Sequence, residues 1–120
     1  MRILIVDNDM GSADSLELML HAEDYSDTRV AYSGTAALAI ARDFQPTVVL
    51  VDLSLLDMTG YELAQSLREQ AQGQQLRLIA VTSSPEHMTR EKARVAGFER
   101  YLVKPVASLD LSSLLDTPPQ

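Results

Sequence analysis

Cysteine is absent from the 120-residue chain, and with it any disulfide framework, dithiol redox centre or thiolate metal site. Long apolar runs are missing too. The longest covers six residues, Ala36–Ala41, roughly a third of what a bilayer-spanning helix requires, so no membrane association is expected. The apolar stretch after Arg2 stops at Asp7 and is no signal peptide. Positive charge is scarce and unclustered. Ten Lys and Arg stand against 17 Asp and Glu for a net charge of -7, which argues against binding nucleic acid by neutralising phosphates. The acidic excess is uneven: residues 1–60 hold 3 basic and 10 acidic residues, whereas 61–120 hold 7 of each. What remains is an ordinary globular composition, 46% hydrophobic and 22% charged. The length suits one domain that buries about two thirds of its unfolded surface, and a cytoplasmic location is the expectation.

Four short apolar runs then stand out: Arg2–Val6, Thr47–Val51, Leu78–Val81 and Tyr101–Val103. They are nearly continuous rather than alternating, as in strands covered on both faces of a parallel sheet. Thr28–Tyr32 alternates and reads as an edge strand. Between the strands, Ala37, Ile40, Ala41 and Phe44 repeat at helical spacing, as do Gly60, Leu63, Ala64 and Leu67. Leu111, Leu114 and Leu115 give a short final stripe, and 85–96 a poor one whose best line is Met88, Lys92 and Val95. Thr59 and Glu62 form a capping-box pattern. Ser84-Pro85 is a helix start, and Gly73 and Gly97 are helix stops. The tail 117–120 is expected to be disordered. Five βα units joined by right-handed crossovers predict an open doubly wound sheet, with its site beyond the carboxyl ends of the strands.

Those ends carry Asp7, Asp52, Thr82 and Lys104. One sheet edge would gather them from separations of 45, 30 and 22 positions. Facing carboxylates repel and lose solvation; a divalent cation relieves both, and hard oxygen donors from few carboxylates suit Mg2+. A hydroxyl and an ammonium beside it make a receptor for a phosphoryl group, and a carboxylate can itself become the aspartyl phosphate. Taken singly, each residue has a plainer role: Asp9 and Asp57 as caps or turn formers, Thr82 as a strand residue, Lys104 as a solvated charge. Four compatible groups at four strand ends favour function. His21 and His87 read as surface residues and the methionines as filler.

The strings around these residues resemble the receiver domain of two-component response regulators: ILIVDND (3–9), VVLVDLSLLDMTGYELAQSLR (48–68), IAVTSS (79–84) and GFERYLVKPV (97–106). The resemblance covers 2–115. It implies an α/β flavodoxin-like fold: a doubly wound five-stranded parallel sheet, order 2-1-3-4-5, with five helices and a receiver domain over 1–116. It also implies that Asp52 accepts a phosphoryl group from a histidine kinase or histidine phosphotransfer protein. Asp7, Asn8, Asp52 and the Ser54 main chain would hold Mg2+. Thr82, Ser83 and Lys104 would receive the phosphoryl group, Tyr101 would be the aromatic switch, and Pro105 would follow a cis bond. The face made by 85–115 would bind an output partner. Such a domain promotes only its own phosphotransfer and dephosphorylation.

Two positions depart from the pattern. Asn8 stands where a second acid is usual, and no proline occurs near Leu56. Asn8 leaves open a degenerate receiver that binds a partner without phosphorylation. Asp7-x-Asp9 also resembles the haloacid-dehalogenase phosphohydrolases, but Tyr101–Pro105 lacks the further acidic pair those require. No DNA-binding or catalytic segment follows 115, which suits a stand-alone receiver or one cut from a longer chain such as a hybrid kinase.

Overall fold

The three central apolar runs need cover on both faces, and parallel pairing flanked by helices supplies it. The computed structural model describes residues 1–85 and 90–116. Strands β1 (Ile3–Val6), β2 (Thr28–Ala31), β3 (Val48–Asp52), β4 (Arg77–Thr82) and β5 (Arg100–Val103) form one parallel sheet in the order β2-β1-β3-β4-β5. Helices α1 (Met10–Ala22), α2 (Gly34–Phe44), α3 (Gly60–Ala71), α4 (Arg90–Ala96) and α5 (Ser108–Asp116) lie between and after the strands. This is the flavodoxin-like arrangement expected, strand order included.

Although the central strands are buried throughout, alternate residues serve different layers. Leu4, Val6, Val49, Val51, Leu78 and Ala80 pack with α2, α3 and α4, while Ile3, Ile5, Val48, Leu50, Ile79 and Val81 pack with α1 and α5. Each fully buried Leu, Ile or Val contributes about 1.5–3 kcal/mol. The stripes of α3 and α5 are buried as their spacing predicts. Of the α2 stripe only Ala37 and Ala41 are buried, and Phe44 lies under the Arg29 guanidinium, 4.5 Å from its ring centre.

The punctuation is mostly as written in the sequence. Thr59 and Glu62 close their capping box with two 3.0 Å bonds, and Gly97 follows α4 at φ 93°. At the end of α3 the left-handed cap is Gln72 (φ 52°), one residue before Gly73 (φ 82°). α2 ends on left-handed Gln45 without a glycine, where a 2.9 Å bond from its amide to the Ala41 carbonyl holds the turn. α4 departs from the expected inner line. Ala93 is its buried residue and Val95 is exposed. The Phe98 amide donates to the Ala93 carbonyl (2.9 Å) at the end of the helix, and both residues join the same buried cluster. Met88, His87, the first turn expected after Pro85 and the tail 117–120 lie outside the described residues.

Candidate functional site at the carboxyl ends of the strands

β1 and β3 are neighbours, so the residues ending them come side by side. Asp7 follows Val6 and donates its amide to Ala31 of β2 (3.0 Å), while Asp52 is the last residue of β3. Both are almost fully buried, at 1% and 3% exposure. From the far side of β4, Lys104 reaches across and donates to Asp7 Oδ2 at 2.8 Å and Asp52 Oδ2 at 3.0 Å. Its own amide is fixed by the Thr82 carbonyl (2.8 Å), and the Lys104–Pro105 bond is cis, as the resemblance implied.

The remaining carboxylate oxygens are held by main chain. Asp7 Oδ1 accepts the Asp9 amide and Asp52 Oδ1 the Ser54 amide, both at 2.9 Å. Thr82 is buried at the end of β4, and its hydroxyl oxygen accepts the Ser84 amide at 3.0 Å. That leaves its proton available to an incoming acceptor. Asn8 is half-buried beside Asp7, and Ser54 and Ser83 are exposed. Tyr101 stands apart, two residues before Val103, the β5 partner of Thr82. Its side chain is exposed, at 45%.

Of the two acids read as caps or turn formers, Asp57 accepts main-chain amides at a helix start and Asp9 does not. Asp9 is the N-cap position of α1, but its carboxylate accepts the Ser12 hydroxyl (2.8 Å) instead of capping main-chain amides. It borders a cleft of about 640 Å3 between α1 and Lys104–Val106. Asp57 turns away onto α2, where it accepts two amides and a hydroxyl. The Gly34 amide foremost, then the Thr35 amide and hydroxyl, hold its carboxyl down to about 2. No local sequence rule links positions 22 and 23 apart, so this contact had no signal in the pattern of residues.

The electrostatics of the pair are unbalanced. Burial pushes the Asp7 carboxyl up, against the Lys104 ammonium and the Asp9 amide, and the nearby Asp52 adds to the rise. Burial alone would lower Lys104, but the two carboxylates outweigh it and raise it. One cation thus serves two carboxylates, an arrangement that favours a second cation. Among the described residues no three His, Cys, Asp or Glu side chains form a metal cage. Two carboxylates with main-chain and amide oxygens nearby fit Mg2+, which keeps several waters and binds through one or two carboxylates.

Comparison with known proteins agrees with this geometry. An uncharacterized 14.6 kDa protein of Leptolyngbya boryana is 36% identical over 96% of this chain and 87% of its own length. The DNA-binding response regulator MtrA of Mycolicibacterium paratuberculosis is 31% identical over 92% of this chain, which spans only 47% of MtrA. Among solved structures, a CheY-like receiver domain from Methanospirillum hungatei is 31% identical with a TM-score of 0.82, covering 95% of this chain and 89% of its own. The receiver domain of the sensor histidine kinase PA1611 of Pseudomonas aeruginosa, which has magnesium coordinated in its active-site cleft, is 27% identical with a TM-score of 0.83, covering 95% and 93%. The receiver domain of Ssk1 from Saccharomyces cerevisiae, solved with the histidine phosphotransfer protein Ypd1, is 26% identical with a TM-score of 0.83, covering 95% and 85%. The family profile of the response regulator receiver domain matches residues 3–116. By its sequence, its sheet order and the residues at its strand ends, the chain belongs to the receiver domains of two-component response regulators.

Proposed function

We propose that residues 1–116 act as a phosphoacceptor unit in which Asp52 takes a phosphoryl group from a phosphohistidine on a histidine kinase or phosphotransfer protein. The observation that carries this reading is the Lys104 ammonium shared between Asp7 and Asp52, 2.8 and 3.0 Å away. In the transfer an Asp52 oxygen forms the new P–O bond, the P–N bond of the donor breaks, and the imidazole leaves. Lys104 then pairs with the phosphoryl oxygens, Thr82 donates its free hydroxyl proton to them, and the small, exposed Ser83 leaves the entrance open. Mg2+, held by Asp7, Asp52, the Asn8 amide oxygen and the Ser54 carbonyl, would neutralise charge on the carboxylates and the phosphoryl oxygens. The magnesium in the PA1611 receiver and the pairing of Ssk1 with Ypd1 support this assignment by analogy.

The added charge of about −1.5 to −2 biases the face made by 85–115, where Tyr101, Val103 and Leu109 present exposed apolar surface to an output partner. Asn8 favours a second reading, an interaction module that works unphosphorylated. Incubation with Mg2+ and acetyl phosphate, followed by intact-mass measurement, separates the two. The phosphoacceptor reading expects an adduct that Asp52→Asn abolishes and Asp9→Asn keeps. A folded protein that gains no adduct from acetyl phosphate or from a phosphohistidine partner supports the second reading. Asn8→Asp should tighten Mg2+ binding in a titration, and an unchanged affinity would remove Asn8 from the metal shell.

A further inference from the structure

The loop joining β3 to α3 carries Ser54, whose amide holds Asp52 Oδ1, yet residues 53–59 contain neither proline nor glycine to shape it. It is fastened at two points instead. At its base, Gly60 lies against the main chain beside the phosphoacceptor: a Cβ there would sit 2.9 Å from Leu53 Cα and 3.2 Å from the Asp52 carbonyl oxygen. At its tip, Asp57 Oδ1 accepts the Gly34 amide at 2.9 Å, and Oδ2 accepts the Thr35 amide and hydroxyl at 2.9 and 2.8 Å. Met58 adds a packing contact. A Cβ on Gly34 would come within 2.5 Å of Met58 Sδ.

The first turn of α2 therefore divides its free amides between two caps. Ser33 Oγ takes Ala36 (3.0 Å), while Gly34 and Thr35 go to a carboxylate from a different loop. A purely structural cap would leave the loop unaffected when removed. Asp57 is placed differently, because it is itself part of the seven-residue span that begins next to Asp52.

We infer that Asp57 is a positioning residue: by clamping the loop tip to the amino terminus of α2, it keeps the Ser54 amide on Asp52 Oδ1 and so holds the Asp52 carboxylate in one orientation. The loop restraint stands on geometry alone; its consequence for phosphorylation rests on the role proposed for Asp52. Freed at the tip, the loop samples other conformations. The orienting bond is then made in only part of the population.

The test compares Asp57→Ala with Ser33→Ala, which removes the other cap of α2 and leaves the loop alone. Amide hydrogen exchange is read at Ser54–Met58 and at Gly34–Ala36, and phosphorylation by acetyl phosphate with Mg2+ is followed by intact mass. Asp57→Ala should speed exchange at Ser54 by roughly tenfold, a local-opening effect, and slow phosphorylation; Ser33→Ala should loosen α2 with neither effect. Faster Ser54 exchange in a protein whose parent is never phosphorylated upholds the clamp and overturns the role of Asp52. Unchanged Ser54 exchange and phosphorylation beside faster exchange in α2 overturns the clamp. If Asp57→Ala does not fold, Asp57→Asn takes its place, with an amide nitrogen facing one donor and the same two readouts.

Discussion

At the amino-terminal rim of the sheet, Arg2 donates to the carbonyls of Phe44 and Gln45, Arg68 to those of Leu76 and Gly97, and Arg77 to Leu114. Arg77 also makes a two-point pair with Glu99 at 2.7 and 3.0 Å. At the carboxyl-terminal rim a single ammonium serves two buried carboxylates. The first rim has its cations matched to acceptors that helix ends and strand starts leave open. The second keeps one negative charge more than it can match. A fold needs the first arrangement for stability, whereas the second lowers stability and supplies a site with affinity for a cation and a phosphoryl group.

Removing one cation from each rim separates the two roles most strongly. Lys104→Met leaves Asp7 and Asp52 facing each other and should cost about 3–5 kcal/mol in urea unfolding, with part of the loss restored by Mg2+. Arg77→Met strands Glu99 and should cost about 3 kcal/mol, with no recovery in Mg2+. Equal responses to Mg2+ would erase the distinction between the rims. Gly60→Ala forces a Cβ onto Leu53 and should cost about 1–3 kcal/mol. A result nearer zero would mean that the loop base yields easily.

Smaller effects sharpen the picture. The Asp57 carboxyl is lowered to about 2, below an unfolded value of about 3.9. Its contribution is therefore complete above about pH 4 and lost as pH falls through about 2. The stability difference between the parent and Asp57→Asn should shrink over that window in pH-dependent thermal melts. Asp7 titrates in the opposite direction, raised chiefly by burial, so its charge opposes folding near neutral pH. Asp7→Asn should melt at or above the parent temperature while losing Mg2+ affinity, and a lower melting point would mean that the carboxylate stabilises the rim.

How much of this was legible in the sequence follows from the range of the interactions. The capping box and the convergence of Asp7, Asp52, Thr82 and Lys104 come from local patterns plus one topological rule, whereas the strand order came only with the family resemblance. The cis bond before Pro105 came with the family resemblance. The left-handed Gln45 and Gln72 were not readable, because glycine is the residue that marks such ends. On α4 the buried position belongs to Ala93, a weak apolar signal, and the more hydrophobic Val95 is exposed. For Asp57 a capping role is readable from its residue type but the helix it caps is not, since its partners on α2 lie 22 and 23 residues away. The arginine pairs are equally non-local: Arg77 meets Leu114 across 37 positions.

The most direct measurement locates the phosphoryl bond itself. After incubation with Mg2+ and acetyl phosphate, borohydride reduction of the acyl phosphate and peptide mass spectrometry identify the modified side chain. Reduction is expected at Asp52 alone, absent without Mg2+ and absent in Lys104→Met at the same exposure time. Modification at Asp7 or Asp9, or no acyl phosphate in a folded protein from this donor or a phosphohistidine partner, would overturn Asp52 as the phosphoacceptor.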